Sequence, residues 1–236
     1  MLITVASTKG SAGVSTFAVV LAAVWPGQPP PVVVEADCAG GDLGARHWLP
    51  DTPGVGSLAT QSRTGSVTLD QHVTRLPCGV DAVLAPAGRL PATVAVGLLA
   101  EADLAVWAKE RPTIADLGRL EPEAPSGALV EAADVVLLVS RGDEGALLRL
   151  ANADLPVCRT RLVLVAGCRY PVAEIADRTG LEVAAQMPWD PHAAAVVAGR
   201  RKAGRGWTRR GLPAAARALA ARLAVTEVDA TEGGVG

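Results

Sequence analysis

Thr8-Lys9-Gly10-Ser11-Ala12-Gly13-Val14-Ser15-Thr16 lies between the apolar run Leu2-Ile3-Thr4-Val5-Ala6 and a second apolar stretch, residues 17–24. That order predicts a strand, a loop of small residues and a helix. Gly10 and Gly13 let the backbone turn tightly, so that successive N–H groups and the N-terminus of the new helix face one point. Such a point attracts anions, and a phosphate chain is its natural occupant.

Working outward, the chain repeats the alternation of strand and helix. Short runs rich in branched residues, of the kind buried on both faces of a parallel sheet, occupy 32–36, 112–117, 134–140, 161–166 and 182–187. A further strand between turns is expected within 76–88. Helices are expected over about 92–109, 144–153, 171–179 and 212–225, with a short one within 53–65. The pattern predicts α/β: a doubly wound, mostly parallel sheet with helices on both faces, as one domain over 1–225 followed by a short acidic tail, 226–236.

Composition bounds the function. Hydrophobic residues make up 50% of the 236 and aromatic ones only 3%, so aliphatic side chains carry the core. A formal net charge of −2 gives no global basic field of the kind that gathers nucleic acid. Cys38, Cys78, Cys158 and Cys168 show no Cys-x-x-Cys spacing, which fits a reduced setting. The chain begins directly in a strand without a charged leader, and no apolar run reaches the roughly 18–20 residues that span a bilayer. The expectation is a cytoplasmic protein, peripheral at a membrane through a partner at most.

Acidic residues stand at two strand ends. The strand at 32–36 leads into Asp37-Cys38-Ala39-Gly40-Gly41-Asp42, and Pro112-Thr113-Ile114-Ala115 leads into Asp116-Leu117-Gly118. Open α/β sheets bind ligands at the carboxyl ends of their strands. A second reading of Asp37 and Asp42 stays open here, as caps of a following helix.

Taken together, residues 8–16 resemble the deviant Walker A loop of the MinD/ParA family of P-loop ATPases, Lys-Gly-Gly-x-Gly-Lys-Ser/Thr-Thr. The resemblance makes Lys9 the signature lysine and Ser15 the magnesium-side hydroxyl, with Gly10, Ser11, Ala12, Gly13, Val14 and Thr16 completing the phosphate cradle. It implies ATP or ADP with Mg2+ as cofactors. Asp37 takes the place of a switch residue that orients water near the terminal phosphate, and Asp37 and Asp116 that of residues holding magnesium through water. Lys9 and Asp37 are thus the expected catalytic residues, and Ser15, Asp37 and Asp116 the expected metal set. Pro188-Trp189-Asp190 resembles the family's adenine-side loop, placing Pro188 and Asp190 by the nucleotide; Trp189 either flanks a base or packs as a rim residue. Gly41-Asp42-Leu43 and the strand around Val80-Asp81-Ala82-Val83-Leu84-Ala85-Pro86 look most similar to the CpaE/TadZ branch, associated with pilus assembly and secretion.

Three departures stand against this pattern. The loop lysine is Val14, a glycine has become Ser11, and Gly167-Cys168 stand where relatives carry an adenine-reading Asn. Loss of a charge-assisted contact costs on the order of 1.5–3 kcal/mol in binding, and more where charge develops on a transferred phosphoryl group. Two functions are therefore expected as alternatives. One is a nucleotide-dependent homodimeric positioning or assembly switch, serving a secretion, pilus or division apparatus, with slow or absent hydrolysis. The other is a non-catalytic, pseudo-ATPase scaffold that docks partner proteins. A basic cluster, Arg200, Arg201, Lys202, Arg205, Arg209 and Arg210, supplies six cations in eleven positions. It suits DNA, an anionic surface, a protein partner or plain solvation equally well.

Overall fold

Alternation of side chains along the strands sets the architecture. Leu2 and Ala6, Val32 and Val34, Val136 and Leu138, and Leu162 and Leu164 point to one apolar layer. Their neighbours Ile3 and Val5, Val33, Leu137 and Val139, and Val163 and Val165 point to the other. This period of two buries both faces of one sheet.

The computed structural model describes residues 1–10, 12–63, 68–102, 111–121, 123–153 and 155–232. Its strands are β1 (Leu2–Ser7), β2 (Val32–Glu35), β3 (Thr74–Arg75), β4 (Asp81–Val83), β5 (Thr113–Arg119), β6 (Val135–Gly142), β7 (Thr160–Cys168) and β8 (Glu182–Met187). They form one eight-stranded sheet in the order β3-β4-β2-β5-β1-β6-β7-β8. Every pairing is parallel except β3 with β4. Order reverses around β1, and this switch point is where α/β sheets open a crevice.

The helices are α1 (Val14–Ala23), α2 (Leu43–His47), α3 (Val55–Ser62), α4 (Arg89–Ala100), α5 (Gly127–Ala132), α6 (Glu144–Ala151), α7 (Val172–Thr179), α8 (Pro191–Val197) and α9 (Gly211–Glu232). One sheet face carries Leu58 of α3, Val96 and Leu99 of α4, Leu129 of α5, Leu150 of α6 and Ile175 of α7. The opposite face carries α1, with Val197 of α8 and Leu212, Leu219 and Leu223 of α9. Phe17 through Ala22 are all buried, so α1 has scarcely any wet side. It is sandwiched between the sheet and the C-terminal helix.

Several expected boundaries move. The helix expected over 92–109 begins at Arg89 and is described to Ala100, while 103–110 fall outside the described residues. The tail expected to begin at 226 instead continues α9 to Glu232, because neither Gly nor Pro interrupts the chain before Gly233. Asp116 does not end its strand. β5 runs three residues further, with a register shift opposite Val5 and Ala6 and Gly118 in the left-handed region (φ 60°).

Candidate functional site

The loop is open where a ligand needs it open. Gly13 caps α1 with φ 88° and ψ 28°, a conformation that costs an L side chain energy. A Cβ built on Gly10 or on Gly13 meets no atom within 4 Å. The Phe17 N–H donates to the Gly13 carbonyl at 2.9 Å to start the helix; the N–H groups of a first helical turn have no intrahelical acceptor. Ser11 lies outside the described residues. Thr16 is half-buried in that same turn. Beside the loop lies a cavity of about 240 Å³, bounded by Lys9, Gly10, Ala12, Ser140, Arg141 and Asp143 among others.

Val14 takes no part in that opening. It is 6% exposed and belongs, with Ala12 and Phe17, to the apolar layer under α1. At the helix position where the resemblance expects a cation, the chain places a core side chain.

The acidic groups converge on the other side of the loop. Glu35 of β2 is in register with Asp116 of β5, and both point to the face that carries α1. The Ser15 hydroxyl is hydrogen-bonded to the Asp116 carboxyl group. Asp116 also accepts from the Gly118 N–H at 3.1 Å. Burial drives the Asp116 carboxyl up to about 7; the charges of Glu35 and Asp37 add to this, and the bonds from Ser15 and Gly118 oppose it. Glu35 is raised as well, chiefly by burial, although it accepts from the N–H groups of Asp42 and Leu43 at 2.8 Å and Ala85 at 3.1 Å. Those three bonds make Glu35 the post around which the turn after β2 is wound.

Asp37 stands at the start of that turn. Its Oδ1 accepts from the Ala39 N–H at 2.8 Å, and burial raises its carboxyl above the ordinary range, ahead of repulsion from Asp42 and Glu121. Gly118 makes room for it, since a Cβ there would lie 1.8 Å from Asp37 Oδ2. Ser15, Asp116 and Asp37 are thus gathered on one side of the loop. Among the described residues no three carboxylate, histidine or cysteine side chains form a ready cation cage. A magnesium ion held here needs the Ser15 hydroxyl and water or phosphate oxygens to complete its shell, as is usual for this ion. The donor chemistry fits: hard oxygens, two carboxylates with raised affinity for protons, and an anion-accepting loop next to them.

Lys9 faces the other way. Its Nζ lies 3.2 Å from Asp143 Oδ1, and both side chains are about half exposed. The same oxygen accepts from the Ala146 N–H at 3.0 Å, so Asp143 caps α6 and holds Lys9 at once. That bond to Ala146, with Lys9 behind it, keeps the Asp143 carboxyl below its usual range. Arg141 lines the cavity beside the loop, and its guanidinium lies 5.5 Å from the centre of the Trp189 ring. Sequence reasoning overlooked both. Asp143 ahead of an apolar helix is legible as a cap, but its partner 134 residues away is not.

The residues expected on the adenine side stand in the turn after β8. Pro188 is exposed. Asp190 spends both oxygens on backbone, capping α8 through the Ala193 N–H at 2.9 Å and receiving the Leu212 N–H of α9 at 3.0 Å. Neither residue borders the cavity beside the loop; Trp189 reaches it only through Arg141. Gly167 is at φ 74°, after Ala166 at φ 68°, forming a kink where β7 shifts register against β6.

No protein-family model and no curated protein matches the sequence. The likeness is in structure. A ParA family ATPase from Chlorobium tepidum superposes with a TM-score of 0.75 at 17% identity, over 94% of this chain and 98% of that one. The septum site-determining protein MinD of Pyrococcus horikoshii, complexed with Mg-ADP, gives 0.68 at 16%, over 94% and 95%. MinD in the MinC:MinD cell division complex of Aquifex aeolicus gives 0.63 at 15%, over 94% of each chain. The fold is that of the MinD/ParA P-loop ATPases.

Proposed function

We propose that this chain is a MinD/ParA-type nucleotide-dependent positioning or assembly switch that binds ATP or ADP with Mg2+ and hydrolyses it slowly or not at all. The observation that carries the reading is the pairing of an intact oxygen set with a lost cation. Ser15 and Asp116 are bonded at the base of the loop, Asp37 closes on Gly118 beside them, and Val14 is sunk in the core. When bound, magnesium neutralises and orients the phosphate oxygens. The chain's own residues do the rest: the loop N–H groups cradle phosphate, Ser15 and Asp116 hold the ion's inner or water shell, and Asp37 orients a water. With no ammonium at position 14, charge developing in the transition state is met by too few cations.

Homodimerisation follows from the same reading. Lys9, half exposed on an exposed pair worth at most about 1 kcal/mol, is free to leave Asp143 for the phosphates of a partner copy. MinD bound to MinC supports a role in recruiting another protein, here one of a secretion, pilus or division apparatus in the manner of the CpaE/TadZ branch, at the cytoplasmic side of a membrane. No described helix is long and apolar enough to cross a membrane. The alternative, a pseudo-ATPase scaffold, is favoured by Asp190's engagement with backbone.

Calorimetric titration with Mg-ATP separates the two. The switch requires measurable affinity in the wild type, weakened by Lys9→Ala and strengthened at least about tenfold by Val14→Lys, the factor expected for a restored charged contact. No binding by the wild type or by Val14→Lys establishes the scaffold. Phosphate release at the rate of an ordinary ATPase refutes the emphasis on Val14.

A further inference from the structure

Away from the loop, the turn after β8 and the segment leading into α9 border an open groove of about 820 Å³. Its walls carry Arg201, Lys202, Arg205, Arg209 and Arg210, all exposed, together with Trp189 and Trp207. No carboxylate among the described residues pairs with any of these five cations. Among the described residues Asp190 is the one acid in the wall, and both of its oxygens are spent on the Ala193 and Leu212 N–H groups. That double bond ties α8 to the start of α9 and fixes the groove floor. A Cβ on Gly211 would lie 2.0 Å from Asp190 Oδ2, so the closeness of the two segments depends on glycine there.

Five like charges held around one hollow repel each other unless an anion joins them. Four are guanidinium groups, whose planar forks match phosphate oxygens two at a time. The volume falls in the range of small-ligand sites, about 300–1,000 Å³, whereas duplex DNA or a lipid surface calls for cations spread along an open strip. Trp189, 61% exposed, offers a flat ring at the edge, with Arg141 over it.

We propose that this groove is a second anion site, separate from the phosphate loop, which takes a compact oligophosphate chain and prefers one joined to a nucleoside. The arginines hold the phosphates, and the indole of Trp189 stacks the base. No described residue of 8–16 borders it, so the proposal stands whether or not the loop binds nucleotide.

Titration calorimetry at about 0.15 M salt, with inorganic tripolyphosphate and with ATP lacking magnesium, tests it on the full chain. Tripolyphosphate should bind here with one site per chain, in addition to any binding at the phosphate loop. The double variant Arg205→Ala/Arg209→Ala, which alters exposed side chains only, should weaken it at least tenfold, and Arg178→Ala, an exposed arginine outside the groove, should leave it unchanged. ATP should bind this site more tightly than tripolyphosphate, and Trp189→Ala should erase that preference while sparing tripolyphosphate. Equal affinities for tripolyphosphate in wild type and double variant overturn the proposal. So does tighter binding of duplex DNA or of phosphatidylglycerol vesicles at the same salt, which would make the cluster a surface patch. Failure of the loop reading appears separately, as insensitivity of Mg-ATP binding to Lys9→Ala and Val14→Lys.

Discussion

Asp116→Asn should stabilise the protein, and by an amount that grows with pH. The carboxyl titrates near 7 in the fold against an ordinary value of 3.8, a difference of about 3 units, or about 4 kcal/mol at 1.36 kcal/mol per unit. A buried acid with a raised value keeps its proton in the fold and loses it on unfolding. The fold is therefore unpenalised below about pH 4, loses stability from there to about pH 7, and stays at the lower level above it. Asparagine keeps the shape without the charge, so the wild type should fall behind the variant by about 3 kcal/mol between pH 5 and pH 8. Urea unfolding of both proteins at pH 5, 6, 7 and 8 reads this directly. A gap that stays constant within about 0.5 kcal/mol refutes the assignment of a strained carboxylate beside Ser15. Adding Mg-ATP at pH 8 should close part of the gap, because only the carboxylate gains from the ion.

Other perturbations address the surroundings. Gly118→Ala places a methyl 1.8 Å from Asp37 Oδ2 at φ 60° and should cost about 2–3 kcal/mol in thermal or urea unfolding while weakening Mg-ATP binding. Asp143→Ala removes a helix cap and the Lys9 partner, so a loss of about 1 kcal/mol in stability is expected, with Mg-ATP affinity equal or higher once Lys9 is released. Arg111 joins the Pro30 carbonyl, Asp81 at 3.0 Å and Asp70 at 3.0 Å with its own side chain only 10% exposed. Arg111→Ala should therefore cost about 3 kcal/mol in a denaturant titration.

Much of the fold was legible because the strands of a covered sheet announce themselves. In β6 and β7, branched residues fill both faces, and no polar residue interrupts the centre. The loop at 9–16 was equally clear, since its glycines have a mechanical purpose. The short helix α5 was not foreseen, and α2 only as the alternative in which Asp42 precedes a helix, for five or six residues give too little periodicity to count. Asp116 was expected at a strand end because apolar residues precede it; the bulge at Gly118 that carries β5 onward depends on fitting Asp37, a contact between distant segments. The same holds for Lys9 with Asp143 and Arg141 with Trp189, which exist only after β1, β6, β7 and β8 have been laid side by side. Asp190 shows how one residue carries two signals. Its place in a motif pointed to a ligand, whereas the hydrogen bonds make it a tie between two helices.

The burial of α1 on every side has a mechanical corollary. A rod clamped between a sheet and a C-terminal helix cannot roll or slide without opening both apolar layers, so the anion cradle at its tip is an anvil. Any response to a bound ligand must then be carried by lighter parts: the turn wound on Glu35, the stretch beyond Gly118, and the lysine that swings on its own tether.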